Sequence, residues 1–218
     1  MVDVNQADMQ LFISCFELIG IISFALSGAV TGLRKGMDLF GGCVLGLTTA
    51  VGGGIIRDLL LGITPPNAFQ HPMNALVAIG VSIVVFIPFI RRRFAGNKRL
   101  NELFMLITDT AGLSIFTVCG VRVAIEAGFG DNVFLVSFVA VTTGVGGGVI
   151  RDVFAGTRPF IFVKHIYASA ALAGSLLCIG LWNVAGENLS MLIGFGFIFV
   201  LRLLSARFQW SLPRYPEH

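Results

Sequence analysis

Two arginine-aspartate pairs, Arg57-Asp58 and Arg151-Asp152, stand inside apolar stretches of this chain, and each follows three consecutive glycines, Gly52 to Gly54 and Gly146 to Gly148. A guanidinium in apolar surroundings must be paired and hydrogen-bonded, or else face water. Just upstream stand Thr48, Thr49, Thr142 and Thr143. Hydroxyl and carbonyl oxygens of this kind can replace the hydration shell of an alkali cation. The chemistry on offer is the handling of ions. Nothing points to catalysis: the chain has no phosphate-binding glycine loop ending in Lys-Ser or Lys-Thr, no His-Glu-x-x-His and no Gly-x-Ser-x-Gly.

These residues belong to a phrase that occurs twice. Thr48, Thr49, Val51, Gly52 to Gly54, Ile56, Arg57, Asp58, Gly62 and Pro65 recur at a constant offset of 94 residues as Thr142, Thr143, Val145, Gly146 to Gly148, Ile150, Arg151, Asp152, Gly156 and Pro159. Shared apolar composition does not produce such a match, so the chain is an internal duplication. Upstream, Glu17, Gly20, Phe24 and Gly28 match Asp109, Gly112, Phe116 and Gly120 after a two-residue adjustment.

The elements that must position them are membrane helices. Of 218 residues, 56% are hydrophobic and 12% charged, with a mean hydropathy of +0.88. A water-soluble domain usually carries about 25% charge. Continuous apolar runs, near the roughly 20 residues that cross a bilayer as a helix, lie at about Leu11 to Leu33, Phe40 to Leu61, Asn74 to Ile90, Leu103 to Val121, Val133 to Phe154, Ile161 to Trp182 and Leu189 to Leu204. Because the runs do not alternate, a barrel is disfavoured. The expectation is an all-α membrane protein of seven transmembrane helices in one domain, residues 1–218. The first helix lacks the basic flank of a cleaved signal and is expected to stay.

Basic residues mark one side of the membrane. Arg34 and Lys35 follow the first span, Arg91, Arg92, Arg93, Lys98 and Arg99 the third, Arg158 and Lys164 the fifth, and Arg207 and Arg214 the seventh. By the positive-inside rule the N-terminus is outside and the C-terminus cytoplasmic. Each repeat has three helices, at about residues 11–90 and 103–182, so the second copy is inverted, with an extra helix at about 189–208. Inverted repeats suit transport folds, in which discontinuous helices meet near the midplane. The Arg91 to Arg99 cluster reads as a topology determinant that could also meet anionic lipid. Arg202 reads as a snorkelling residue of the cytoplasmic end. His71 and His165 read as loop residues and His218 as a tail end. Cys15, Cys43, Cys119 and Cys178 read as small buried residues, without metal-site spacing.

Three glycines in a row cost about 1 kcal/mol each in a helix interior. The triplets therefore predict a kink or break in the second and fifth helices, with freed carbonyls and threonine hydroxyls around a central cation site. The alternative is that glycine only lets helices pack closely. For Arg57 and Arg151 the adjacent aspartates are the nearest acids in sequence but point about 100° away, so Glu17, Asp109 and the aspartate of the other repeat are candidate partners as well. These charges read equally as a gate or as ion pairs that fix packing.

The paired Gly-Gly-Gly-x-Ile-Arg-Asp phrase at 52–58 and 146–152, each followed by Gly and Pro, resembles the prokaryotic branch of the trimeric intracellular cation channel (TRIC) family. The resemblance implies a homotrimer in the prokaryotic inner membrane, in contact with lipids and no nucleic acid. Each protomer would have its own pore for potassium and sodium and no cofactor. The pore would be bounded by the kinked second and fifth helices with the first and fourth. Its candidates are Thr49, Gly52, Gly53, Thr143, Gly146 and Gly147, with Arg57, Asp58, Arg151 and Asp152 nearby. The Lys-Glu-Val signature of animal members is missing, so their lipid and calcium regulation does not carry over. The same bacterial domain is also labelled a glycine transporter, and a secondary carrier of a small zwitterion such as glycine is the alternative reading.

Overall fold

A computed structural model describes residues 4–96, 98–163 and 166–210; Lys164, His165, Arg214 and His218 of the sequence reading lie outside the described residues. The described residues form ten α-helices and no strand. They are α1 (Val4–Arg34), α2 (Leu39–Leu60), α3 (Asn67–Gln70), α4 (Met73–Phe86), α5 (Pro88–Gly96), α6 (Lys98–Ala124), α7 (Val133–Phe154), α8 (Phe160–Val163), α9 (Ala168–Ala185) and α10 (Glu187–Phe208). A wider π-type turn, Ile125–Phe129, extends α6.

Local chemistry sets the helix ends. The Asp38 side chain accepts from the Gly41 amide at 2.8 Å and starts α2, and Asn132 accepts from the Leu135 amide at 3.0 Å and starts α7. Both helices stop in the same way. At Gly62 and Gly156 the backbone turns left-handed (φ 73° and 62°), and the next amide reaches back to a helix carbonyl, Ile63 to Asp58 at 2.8 Å and Thr157 to Asp152 at 2.9 Å. A left-handed residue there favours glycine, which explains the duplicated Gly62 and Gly156.

Among the described residues, six helices are long and apolar enough to cross a membrane: Gln10–Arg34, Leu39–Leu60, Asn101–Phe129, Val133–Phe154, Ala168–Ala185 and Glu187–Phe208. The expected third span is different. Helix α4 has 14 residues, about 21 Å against the roughly 30 Å of hydrocarbon. It ends at Phe86 because Pro88 forces Ile87 into an extended conformation (ψ 132°). The expected sixth span likewise starts late, at Ala168, after the separate short helix α8.

The expected break at the glycine triplets is absent. Helices α2 and α7 run unbroken through Gly52 to Gly54 and Gly146 to Gly148, so no backbone carbonyl is freed by a break there. The cause is packing. A methyl group on Gly53 would overlap the Thr143 carbonyl, and one on Gly147 would overlap the Thr49 carbonyl. The two helices cross backbone to backbone at these residues, and close contact offsets the poor helix propensity of glycine.

Around this crossing the contacts are reciprocal. Helix α1 packs on α2 and α6 packs on α7, with α1 against α6; α4 leans on α1 and α2, α9 on α6 and α7, and α10 covers α6 and α9. Phe24 of α1 occupies the space over Gly112 of α6, while Phe116 of α6 lies over Gly20 of α1. Their rings stack at 5.2 Å between centroids. Larger residues at Gly20 or Gly112 would push α1 and α6 apart.

Candidate functional site

The Arg-Asp pairs sit one turn beyond the crossing, one on α2 and one on α7. In each, the long arginine curls onto its neighbour: Arg57 Nε donates to Asp58 Oδ1 at 2.8 Å, and Arg151 Nε donates to Asp152 Oδ1 at 2.9 Å. The adjacent aspartates, nearest in sequence, are thus the partners of Arg57 and Arg151, because three methylenes give each guanidinium room to swing round the angle between neighbouring positions. The other carboxylate oxygen ties down the following loop. Asp58 Oδ2 accepts from the Asn67 amide at 2.8 Å, and Asp152 Oδ2 accepts from the Phe160 amide at 2.9 Å. Each duplicated aspartate thus joins an arginine to the first amide of a short helix, α3 or α8.

The two sites differ in what surrounds them. Arg57 and Asp58 border a cavity of about 490 Å³ that also meets Glu17, Phe116, Arg122 and Glu126. It reaches the surface, because exposed His71, Glu126 and Ala127 form part of its wall. Glu17 is half-buried there and makes no ion pair with Arg57. Arg122 is occupied by Glu126 at 2.6 Å and Glu187 at 2.7 Å. The cavity offers an uncommitted carboxylate beside two satisfied arginines.

Arg151 is closed in. It is 0% exposed, and its Nη1 donates to Asp109 Oδ1 and to Ser27 Oγ, both at 2.6 Å. Its guanidinium lies 4.9 Å from the Phe160 ring centre. Tyr167 donates to Asp109 at 3.4 Å, and Arg202 lies 4.7 Å over the Tyr167 ring. Where Gly54 borders the open cavity, Gly148 faces the Tyr167 hydroxyl and Asp109. Equivalent positions are open on one side of the crossing and filled on the other.

The threonine hydroxyls are engaged within their own helices. Thr49 and Thr143 are fully buried, and their hydroxyls donate to carbonyls of their own helices, Leu45 at 2.5 Å and Val139 at 2.6 Å. Thr48 and Thr142 are half-exposed and bond back to Val44 and Phe138 in the same way. Gly52 faces Ile150 and Gly146 faces Ile56. The crossing is packed with glycine backbone, isoleucine tips and the Phe24-Phe116 stack.

A family model described as "Glycine transporter" matches residues 14–89 and again 106–183, the two copies of the repeat. A relative from Escherichia coli (strain K12), "UPF0126 inner membrane protein YadS", is 34% identical over 202 residues, covering 91% of this chain and 94% of its own. Among solved structures, one reported under "Structural basis for conductance through TRIC cation channels" superposes with a TM-score of 0.82 at 36% identity, covering 94% of this chain and 98% of that one. The TRIC trimeric intracellular cation channel orthologue from Rhodobacter sphaeroides superposes with a TM-score of 0.82 at 31% identity, covering 91% and 98%. The chain belongs to the TRIC family. These TRIC neighbours are channels, not enzymes.

Within this TRIC protein, the sequence reading found the Arg-Asp pairs, Glu17 and Asp109, and the structure gives Arg151 the Asp109 partner while leaving Arg57 without Glu17. It misjudged Arg202, which is 2% exposed and donates to the Ile166 carbonyl at 3.0 Å instead of snorkelling. It missed Ser27, Tyr167 and Arg122, which earn their places only through contacts between distant segments. Cys119 and Cys178 are buried as expected, Cys43 is half-buried and Cys15 is exposed.

Proposed function

We propose that this protein is a passive monovalent-cation channel in which each protomer carries its own pathway, bounded by α1, α2, α6 and α7. The observation that carries the reading is the pair of equivalent Arg-Asp sites flanking one glycine crossing, one beside a surface cavity with the uncommitted Glu17 carboxylate and the other closed. Glu17 draws potassium or sodium into the cavity. The Phe24-Phe116 stack and the crossing at Gly53 and Gly147 form the constriction, and the Asp109-Arg151 site closes the far end. Conduction requires α2 and α7 to shear apart along their glycine faces, which expose carbonyls of Thr49 and Thr143 as oxygen ligands.

The reciprocal contacts of α1 with α6 and α2 with α7 support two inverted repeats, residues 11–90 and 103–182, with α10 as the addition. Helix α4 serves as the seventh crossing, short enough to need local thinning of the bilayer. The relatives favour a homotrimer in the inner membrane, and the basic loops place the N-terminus outside. On that orientation the open cavity faces outward and the Arg151 site inward.

A carrier of a small zwitterion is the second reading. It is favoured by the same one-sided opening, which alternating access also requires, and by the description of the family model. Liposomes separate the two. A channel collapses a potassium gradient without saturating and gives no counterflow of labelled glycine; saturable glycine counterflow with no potassium leak overturns the channel reading.

A further inference from the structure

We infer that Arg202, supplied by the unduplicated helix α10, is the positioning residue that holds Asp109 on Arg151 and so decides which of the two equivalent sites is closed. This rests on reading the two sites as ends of one pathway. The duplication alone would make them alike, since Arg57, Asp58 and Glu17 match Arg151, Asp152 and Asp109 in type and place. What differs is the lid. At the offset of 94 residues the counterpart of Tyr167 is Met73, which is 67% exposed, and α10 has no counterpart in the first repeat. The counterpart of Ser27 in the matched α1 and α6 helices is Cys119, which makes no bond to Arg57.

Arg202 reaches the closed site from behind. Its Nη1 is fixed on the Ile166 carbonyl at the entrance to α9, its guanidinium covers the Tyr167 ring, and its Nη2 stops 3.9 Å from Asp109 Oδ2. That separation is too long for a direct hydrogen bond, so Arg202 acts on Asp109 by charge and by pressing Tyr167 toward it. Asp109 Oδ2 and Arg202 Nη2 are both buried without a hydrogen-bond partner. The carboxylate therefore has one oxygen committed to Arg151 and one facing a second cation. With Arg151, Arg202, Asp109 and Asp152 the site is neutral only while α10 is docked. Removing Arg202 leaves Asp109 an under-satisfied carboxylate that gains by meeting water, and water entry opens this end.

The test uses thiol accessibility, which needs no ion flux. In full-length protein with its four cysteines replaced by alanine and held in nanodiscs, Ala170→Cys, buried on α9 one turn from Tyr167, reports on the closed site and Ala127→Cys on the open cavity, both labelled by a charged methanethiosulfonate reagent. Arg202→Met is expected to speed labelling at position 170 by at least about tenfold and to leave position 127 unchanged, with Arg202→Lys restoring much of the slow rate. Asp109→Asn is expected to give a similar acceleration, and the double variant no more than either alone. A rate at position 170 within twofold of the parent, an equal acceleration at both reporters, or multiplying effects in the double variant would each overturn the inference. Where Arg202→Met gives no folded oligomer, Arg202→Gln and Arg202→Lys carry the same comparison. If the labelling behaves as expected while bilayers stay silent, the channel reading fails and the role of Arg202 stands.

Discussion

Replacing Gly53 by alanine separates the two roles a membrane glycine can play. Alanine is a better helix former by about 1 kcal/mol, so at a position where glycine gives only flexibility the change stiffens and stabilises α2. At Gly53 the new methyl overlaps the Thr143 carbonyl of α7, a backbone atom that cannot rotate away. Helices α2 and α7 then have to part, at an overpacking cost of about 1–3 kcal/mol. Gly54 is the control on the same turn, since its nearest neighbour would be the Arg57 guanidinium at 3.7 Å, an ordinary contact. Gly54→Ala is therefore neutral or stabilising by up to about 1 kcal/mol, and because the propensity gain is common to both variants, Gly53→Ala lies below Gly54→Ala by the overpacking cost alone, about 1–3 kcal/mol. Unfolding in mixed detergent micelles, followed by the far-ultraviolet helix signal, measures both. Equal shifts for Gly53→Ala and Gly54→Ala would refute the close-crossing argument and return the triplet to a hinge.

Three further outcomes follow from the same geometry. Glu17→Gln lowers cation conductance about two- to threefold in 0.1 M salt and hardly at all in 1 M salt, because the screening length falls from about 10 Å to about 3 Å; conductance recordings at the two salts check it. Asp109→Asn, at the matching position, leaves Arg151 short of a buried partner and costs about 3 kcal/mol of stability, while Glu17→Gln stays within about 0.5 kcal/mol in the same denaturation assay. Gly62→Ala and Gly156→Ala each cost about 1 kcal/mol through the left-handed backbone alone, since no atom lies near the new methyl; melting shifts of similar size at both positions test this.

The duplication, the helical class and the charged candidates were legible because each is written locally: repeated residues, apolar runs near membrane length, and ionisable groups where few belong. The shortness of α4 went unread, because the apolar run from Asn74 to Ile90 continues past Pro88, the residue that ends the helix. The glycine triplets misled, because propensity counts the cost of glycine within one helix and cannot see the Thr143 carbonyl that comes against Gly53 from another. Arg202 misled for the same reason. A single arginine near a helix end reads as snorkelling until Tyr167, Ile166 and Asp109 are brought around it by α9 and α6. The asymmetry between the Arg57 and Arg151 sites shows in the sequence only as Ser27 against Cys119 and Tyr167 against Met73, differences without meaning until α1 and α9 are brought to Arg151 and Asp109.

The most direct test of the central claim is single-channel recording of the purified protein in planar bilayers under a potassium chloride gradient. The account predicts discrete unitary currents that reverse near the potassium potential. Silent bilayers, from protein that exchanges labelled glycine across liposomes, would contradict it.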